Sequence, residues 1–279
     1  MRLLIILSVL SCCARVGIAA DFDPFEGPKP IAVFIQTNPW AMVIGSDTPR
    51  VAVYENGEVI FPKKVGDRLV YHTVTLNKDE LNKFRETLKP VLTLKDLKPS
   101  YNIRPNATDQ PESMFYFRDG DREVATSVYG LMAAGTQLPG FTQFPNGVKP
   151  TAPPDELLKL HKSLCELDYK ESKEWTPKYV EVMLWDYSYA PGESTPWPKH
   201  WPGLNSERAV KRGDAYSVFL DGTELPKLRD FVAKQKNKGA VLADGKKCAM
   251  SYRFTFAGEM VWRKALSAAA EKGEKEAEK

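Results

Sequence analysis

The pattern that most constrains this chain occurs twice. Residues Tyr71 to Leu88 alternate apolar and polar as far as Leu76, then present Asn77, Glu80 three positions later, and an apolar stripe at Leu81, Phe84 and Leu88. Residues Tyr216 to Val232 repeat the design with Asp221, Glu224, Leu225, Leu228 and Val232 in the matching places. With Val74 set on Val218, six of seventeen positions from His72 onward are identical, where common residues would coincide at about one position. Alternation of period two is a strand, and apolar spacing of three and four is a helix. Asn or Asp at the junction can accept hydrogen bonds from the first unpaired helical N–H groups, with Glu three residues on as the partner of a capping box. Pro226 falls in the first helical turns, where a missing N–H does least harm.

The flanks extend the likeness. Ile31 to Gln36 and Val180 to Trp185 read as strands that precede each copy. After each helix an aromatic-rich segment suggests a hairpin, Met114 to Phe117 turning at Asp119-Gly120 and Tyr252 to Phe256 turning at Ala257-Gly258. Between the first strand and the first capped helix, Val51-Ala52-Val53-Tyr54-Glu55, Asn56-Gly57 and Glu58-Val59-Ile60-Phe61 predict a hairpin with a type I′ turn. The second copy has Pro191 to Leu204 there instead, whose four prolines remove strand donors and make it a loop or a sheet edge. The fold class is therefore α+β, two similar units, each a mainly antiparallel sheet covered by a capped helix, an internal duplication.

In order along the chain, residues 1–20 read as a signal peptide, 21–134 as the first unit, 135–154 as a Pro-, Gly- and Thr-rich linker, 155–266 as the second unit with a preceding helix, and 267–279 as a charged tail expected to fray. The preceding helix, Asp155 to about Asp168, has a broad leucine face and is expected to close the first unit against its sheet.

Residues Met1 to Leu10 give one positive charge and a short apolar run, followed by small residues at Gly17, Ala19 and Ala20. That is the layout of an export signal cleaved before Asp21, and the protein is expected to be periplasmic or extracellular. Val9-Leu10-Ser11-Cys12 is a weaker lipoprotein-like alternative that would anchor the chain at Cys12. The apolar run is shorter than the roughly 20 residues a spanning helix needs, and no other stretch of that length follows, so no transmembrane segment is expected in the mature chain.

From Asp21 the chain keeps 37 Lys+Arg, once Arg2 and Arg15 are removed from 39, against 36 Asp+Glu. Without a cationic excess to release counterions from phosphates, nucleic acid is not an expected partner. Of four cysteines, Cys165 and Cys248 lie in the mature chain. In an oxidising compartment they either form a disulfide or remain two separately buried thiols.

The motifs of the common chemistries are missing: there is no Gly-x-Ser-x-Gly, no phosphate-cradling Gly-Lys-Ser/Thr, no dinucleotide glycine pattern, no His-Glu-x-x-His and no Cys-x-x-Cys. No catalytic residue, metal ligand or cofactor is assigned. Of three histidines, His72 alternates with Val74 toward the buried face of its strand, and His161 reads as surface beside Lys159 and Lys162. His200 lies between Trp197 and Trp201 in Pro196-Trp197-Pro198-Lys199-His200-Trp201-Pro202. Two indoles held by prolines beside an imidazole could form a flat contact surface, extended by Trp185 and Tyr187. The competing reading is that both indoles cover the sheet edge left open by the missing hairpin, because Trp is usually well buried.

Val53-Tyr54-Glu55-Asn56-Gly57-Glu58-Val59-Ile60, the Leu-x-x-x-Glu-Leu helix starts and the Trp-Pro segment together resemble uncharacterised exported proteins and lipoproteins of bacteria. The resemblance implies an envelope location and brings no catalytic residues. The expected function is a non-catalytic binding or interaction module whose partner is a protein or a small polar or aromatic ligand. The alternatives are a hydrolase working through acidic residues assembled only in space, or a structural scaffold.

Overall fold

The computed structural model describes residues 22–41, 44–132 and 150–277. The signal segment 1–20 with Cys12, and most of the linker 135–154, lie outside the described residues. The chain forms β1 (Pro30–Gln36), β2 (Pro49–Tyr54), β3 (Glu58–Val65), β4 (Arg68–Thr75), α1 (Lys78–Leu92), β5 (Ser100–Asn102), β6 (Glu112–Asp119), β7 (Arg122–Tyr129), α2 (Asp155–Cys165) and β8 (Lys173–Glu174). It continues with β9 (Tyr179–Asp186), β10 (Thr195–Pro196), β11 (Ala209–Arg212), β12 (Ala215–Asp221), a 3-10 turn (Gly222–Glu224), α3 (Leu225–Ala233), β13 (Val241–Ala243), β14 (Lys246–Phe254) and α4 (Glu259–Ala277).

The strands make two sheets. One has eight in the order β5-β7-β6-β1-β2-β3-β4-β8, the other six in the order β10-β13-β14-β9-β12-β11. Each begins with one parallel pair, β5 with β7 or β10 with β13, and is antiparallel from there on. The expected α+β architecture of two mainly antiparallel sheets with helices is what the chain forms.

The duplication itself is not confirmed. The six-stranded sheet matches the first six places of the larger one in order and direction, but the chain visits those places differently. The hairpin β6–β7 runs outward from the central β1, whereas β13–β14 runs inward to the central β9. The two strands aligned by sequence are not equivalent either: β12 pairs with β9, while β4 is separated from β1 by β2 and β3.

The helix starts differ in the same way. Asn77 accepts from Asp79 N and Glu80 N, both at 3.0 Å, and Glu80 reaches back to Asn77 N at 2.8 Å, a complete capping box. Asp221 makes no cap hydrogen bond; the chain turns through a 3-10 segment, and Asp221 is drawn instead to Arg208 at 2.8 Å.

Three turns also depart from expectation. Gly57 has φ +87° and donates to Tyr54 O at 3.0 Å, and Asn56 is not left-handed, so the loop is a three-residue turn with a glycine bulge rather than type I′. A Cβ on Gly57 would stand 2.5 Å from Leu76 O, while Leu76 N donates to Gly57 O at 2.8 Å; the glycine is what lets β3 and the end of β4 approach. The second hairpin turns at Asp244-Gly245, both with positive φ, and Ala257-Gly258 leads into α4. The tail expected to fray is the continuation of that helix to Ala277.

The layers explain the strand sequences. α1 and α2 cover one face of the large sheet through Leu88, Val91, Leu157, Leu160 and Leu164. α4 covers the other face, with Trp262 against Val33, Ile35 and Tyr116. Because both faces are covered, Ile31 to Ile35 of β1 are all buried, an unbroken apolar run rather than an alternating one. α2 thus closes the first sheet, as expected, and β8 pairs with β4 at its edge.

The termini are exchanged between the sheets. The N-terminal segment lays Phe22 and Phe25 on Phe219 and Tyr179 of the small sheet, while α4 leaves that sheet to pack on the large one. Gly258 N donates to Phe25 O at 2.8 Å where the two segments cross.

Candidate functional site

The Trp-Pro loop folds against the small sheet. Thr195 and Pro196 form the short edge strand β10, and Trp197 N donates to Leu242 O at 2.9 Å. The indoles of Trp197 and Trp201 meet edge to face with centroids 5.0 Å apart, and both pack on Phe231 of α3. They are only 8% and 6% exposed, and their N–H groups are consumed internally: Trp197 donates to Pro202 O at 3.0 Å and Trp201 to Glu224 Oε2 at 2.8 Å. The faces that would make an aromatic platform are therefore covered, and the indoles belong to the core between the small sheet and α3.

What remains accessible is His200, whose side chain is 61% exposed and whose Nε2 lies 3.5 Å from Glu224 Oε2. It stands at the rim of a cleft of about 420 Å³, walled by Trp201, Ser206, Arg208, Asp221 and Glu224. Two of the three wall carboxylates are engaged, and the third, Glu207, is exposed. Asp221 pairs with Arg208 at 2.8 Å, and Glu224 accepts from Lys227 at 2.7 Å as well as from Trp201. The hydrogen bond from Lys227, then that from Trp201, holds the Glu224 carboxyl below its usual range. Arg208 also lies over the rings of Phe22 and Tyr179, at 5.5 and 5.7 Å, so the cleft wall is tied to the N-terminal segment.

Trp185 and Tyr187 are not part of this cleft. Trp185 ends β9, half-buried, and borders a second depression of about 680 Å³ with Tyr216, Lys211 and Lys246 at the opposite end of β12. Lys246 donates to Tyr216 Oη at 2.8 Å across that depression. Tyr187 joins the strand end through its N–H to Lys247 O at 3.0 Å and packs on the exposed Tyr189. The five aromatic and imidazole groups read together from sequence thus divide into two places.

Of the two alternatives for the cysteine pair, the chain takes the separate thiols. No disulfide joins Cys165 and Cys248. Cys165 packs at the α2 side of the large sheet's core and Cys248 within the small sheet's core, so the two thiols belong to different cores. Burial, then the charge of Asp186, raises the Cys248 thiol above its ordinary value.

His161 is not a surface residue. It is 4% exposed, lies edge-on to Phe34 and Phe115, and has Nε2 3.4 Å from Cys165 Sγ. Burial, then the charge of Arg50, depresses it to about 4, so its imidazole is neutral at physiological pH. The expectation failed because Leu157, Leu160 and Leu164 already define a wide apolar stripe, and His161 falls inside it next to Leu160. His72 is half-buried, as its strand phase indicates, with Nδ1 3.2 Å from Ser172 Oγ.

Sequence reasoning missed a buried ionic cluster. Glu181, Arg253 and Glu259 are 2%, 8% and 0% exposed. Arg253 ion-pairs with Glu181 and lies 2.6 Å from Glu259 Oε1, both contacts outside hydrogen-bonding angles. Ser217 Oγ donates to Glu181 at 2.5 Å, Arg263 Nε donates to Glu259 at 2.6 Å, and Arg263 also pairs with Asp47. A signal existed: Glu181 interrupts Val180 and Val182, and Arg253 interrupts Tyr252 and Phe254, charges set within otherwise apolar strand centres.

Among the described residues no group of three or more His, Cys, Asp and Glu is placed to hold a metal ion, and no helix is long and apolar enough to cross a membrane. Comparison with known protein families, with curated proteins and with solved structures finds no match.

Proposed function

We propose that this chain is a non-catalytic binding module of the bacterial envelope, exported on residues 1–20, with the His200 cleft as its contact surface. The observation that carries the reading is the internal pairing of the cleft. Asp221 and Glu224 face one depression, yet each is already held by a cation, and Glu224 is held low. Carboxylates so stabilised are poor proton acceptors near neutral pH but good, fixed hydrogen-bond acceptors. The Trp201–Glu224 and Trp197–Pro202 hydrogen bonds stiffen the wall, which lowers the ordering cost of contact. The envelope location is supported by the charged, apolar and small-residue layout of the first twenty residues and by the resemblance to exported bacterial proteins.

A second reading, a hydrolase working through acidic residues, is favoured by the presence of three carboxylates, Glu207, Asp221 and Glu224, in one cleft. It requires one of them to hold a proton near neutral pH, which the depressed Glu224 opposes.

The test combines two measurements in the producing cell. Intact mass of protein from the envelope fraction should match a chain beginning at Asp21; a diacylated chain beginning at Cys12 would keep the envelope reading and overturn the cleavage site. A photo-crosslinking amino acid at Glu207, on the cleft rim, should form an adduct that the same group at Asp67, on the β3–β4 turn, does not. Recovery in the cytoplasm, or equal labelling at both positions, would overturn the proposal.

A further inference from the structure

We propose that the His200 cleft takes an uncharged, polyhydroxylated ligand, a saccharide, recognised by hydrogen bonds to its paired carboxylates and guanidinium. The inference rests on the cleft being the contact surface, and it follows from what the walls can and cannot offer.

Wholly apolar ligands are disfavoured although Trp201, Pro202 and Leu220 contribute to the wall, because they would cover Arg208, Asp221 and Glu224 without offering them hydrogen bonds. Inorganic anions meet the wrong field: Glu207, Asp221 and Glu224 stand against the single guanidinium of Arg208. Simple cations must displace Arg208 from Asp221 or Lys227 from Glu224, since both carboxylates already hold a cation at 2.7 to 2.8 Å. A cation at the exposed Glu207 alone would be held only by a water-screened charge.

A neutral polyol avoids all three obstacles. An ionised carboxylate offers about four lone-pair sites; at Glu224 one is taken by Lys227 and one by Trp201, and at Asp221 one by Arg208. The remaining sites accept O–H donors as charge-assisted hydrogen bonds without disturbing the ion pairs. Arg208 and His200, beside those carboxylates, can serve hydroxyl acceptors, and the Ser206 hydroxyl, which donates to Gly203 O at 2.8 Å, keeps its lone pairs for incoming donors. The cleft, at about 420 Å³, falls within the ~300–1,000 Å³ of small-ligand sites.

The experiment is an amide NMR titration of the isotope-labelled mature protein with cellotetraose, maltotetraose and chitotetraose, with sulfate and spermidine run in parallel. Saturable shifts at Ser206 to Arg208 and Leu220 to Glu224 with at least one sugar are expected. Asp221→Asn and the exposed His200→Ala should each weaken that sugar by about tenfold, the scale of one hydrogen bond to a charged group. His200 is solvent-facing, so His200→Ala keeps the test valid if Asp221→Asn fails to fold. A response confined to sulfate or spermidine would overturn the ligand class while leaving the cleft as a binding surface. No response to any of the three sugars would overturn the ligand class too, and the contact-surface reading would then stand or fall on the crosslink at Glu207.

Discussion

Arg253 lies directly across the β9–β14 ladder from Glu181 and ion-pairs with it, while its other terminal nitrogen lies 2.6 Å from Glu259 at the start of α4. One side chain thus joins the small sheet to the helix that covers the large one. Arg253→Met should cost about 3–5 kcal/mol, because it removes the buried cation shared by two buried carboxylates and leaves Glu259 only Arg263 and Glu181 only Ser217 and the more distant Arg212. Arg212, 3.7 Å from Glu181 with a side chain 55% exposed, serves as the control, and Arg212→Ala should leave the midpoint unchanged. Urea titration of the two variants decides the matter, and equal midpoints would show that the buried cluster holds nothing together.

Stability should depend on pH through His161. Its folded value is depressed from 6.5 to about 4, so an unfolded chain takes up a proton where the folded one does not. The contribution is complete above pH 6.5, declines as pH falls toward 4 and then levels off. Integrated over that window it amounts to roughly 3 kcal/mol. Denaturant midpoints from pH 7 downward should fall across the window in the wild type and much less in His161→Gln; a flat wild-type profile would contradict the buried neutral imidazole.

Asp47 acts in a lower window. Burial opposes its ionisation, but the hydrogen bond from Arg263 and the charges of Arg263 and Arg253 outweigh it, leaving the carboxyl below its ordinary value of 3.8. Its contribution is present above that value and disappears as pH falls through the folded one. Asp47→Asn should therefore lose stability at neutral pH and show a shallower acid limb, read from thermal melts at descending pH.

Trp197 and Trp201 are buried in the small sheet's core, so truncating either to Ala should cost about 3 to 5 kcal/mol. Small losses of stability would mean that the indoles are available to a partner after all, contrary to their burial at 8% and 6%.

The two helix starts should respond differently. Asn77→Ala removes a complete capping box and should cost about 1 kcal/mol. Asp221→Ala removes no cap, only a partly exposed ion pair, and should change the midpoint little. Equal losses would restore the equivalence of the two segments.

Several features are decided within a few residues of chain. Alternation at Tyr71 to Leu76, the Asn77–Glu80 reciprocity and the apolar stripe of α1 depend on near neighbours, so the residues themselves specify the strand, the cap and the helix. The location of the Asn56-Gly57 turn is equally local, although its type was set by the contact with Leu76. Sheet order is another matter. The aligned segments of β4 and β12 carry the same pattern and each lies one place in from a sheet edge, yet the inner neighbour is β3 for one and the central β9 for the other, because period-two alternation says which face is buried and not which strand lies alongside. Burial of the Trp pair, of His161 and of the Glu181–Arg253–Glu259 cluster was decided by packing between distant segments. So was the helical continuation to Ala277, since α4 is held by Trp262, Ala265 and Leu266 against a sheet formed far earlier in the chain. The cleft belongs to this second group: His200, Arg208 and Glu224 occupy separate loops and turns, and they meet at one depression through the pairing of β11 with β12, the Arg208–Asp221 ion pair and the Trp201–Glu224 hydrogen bond.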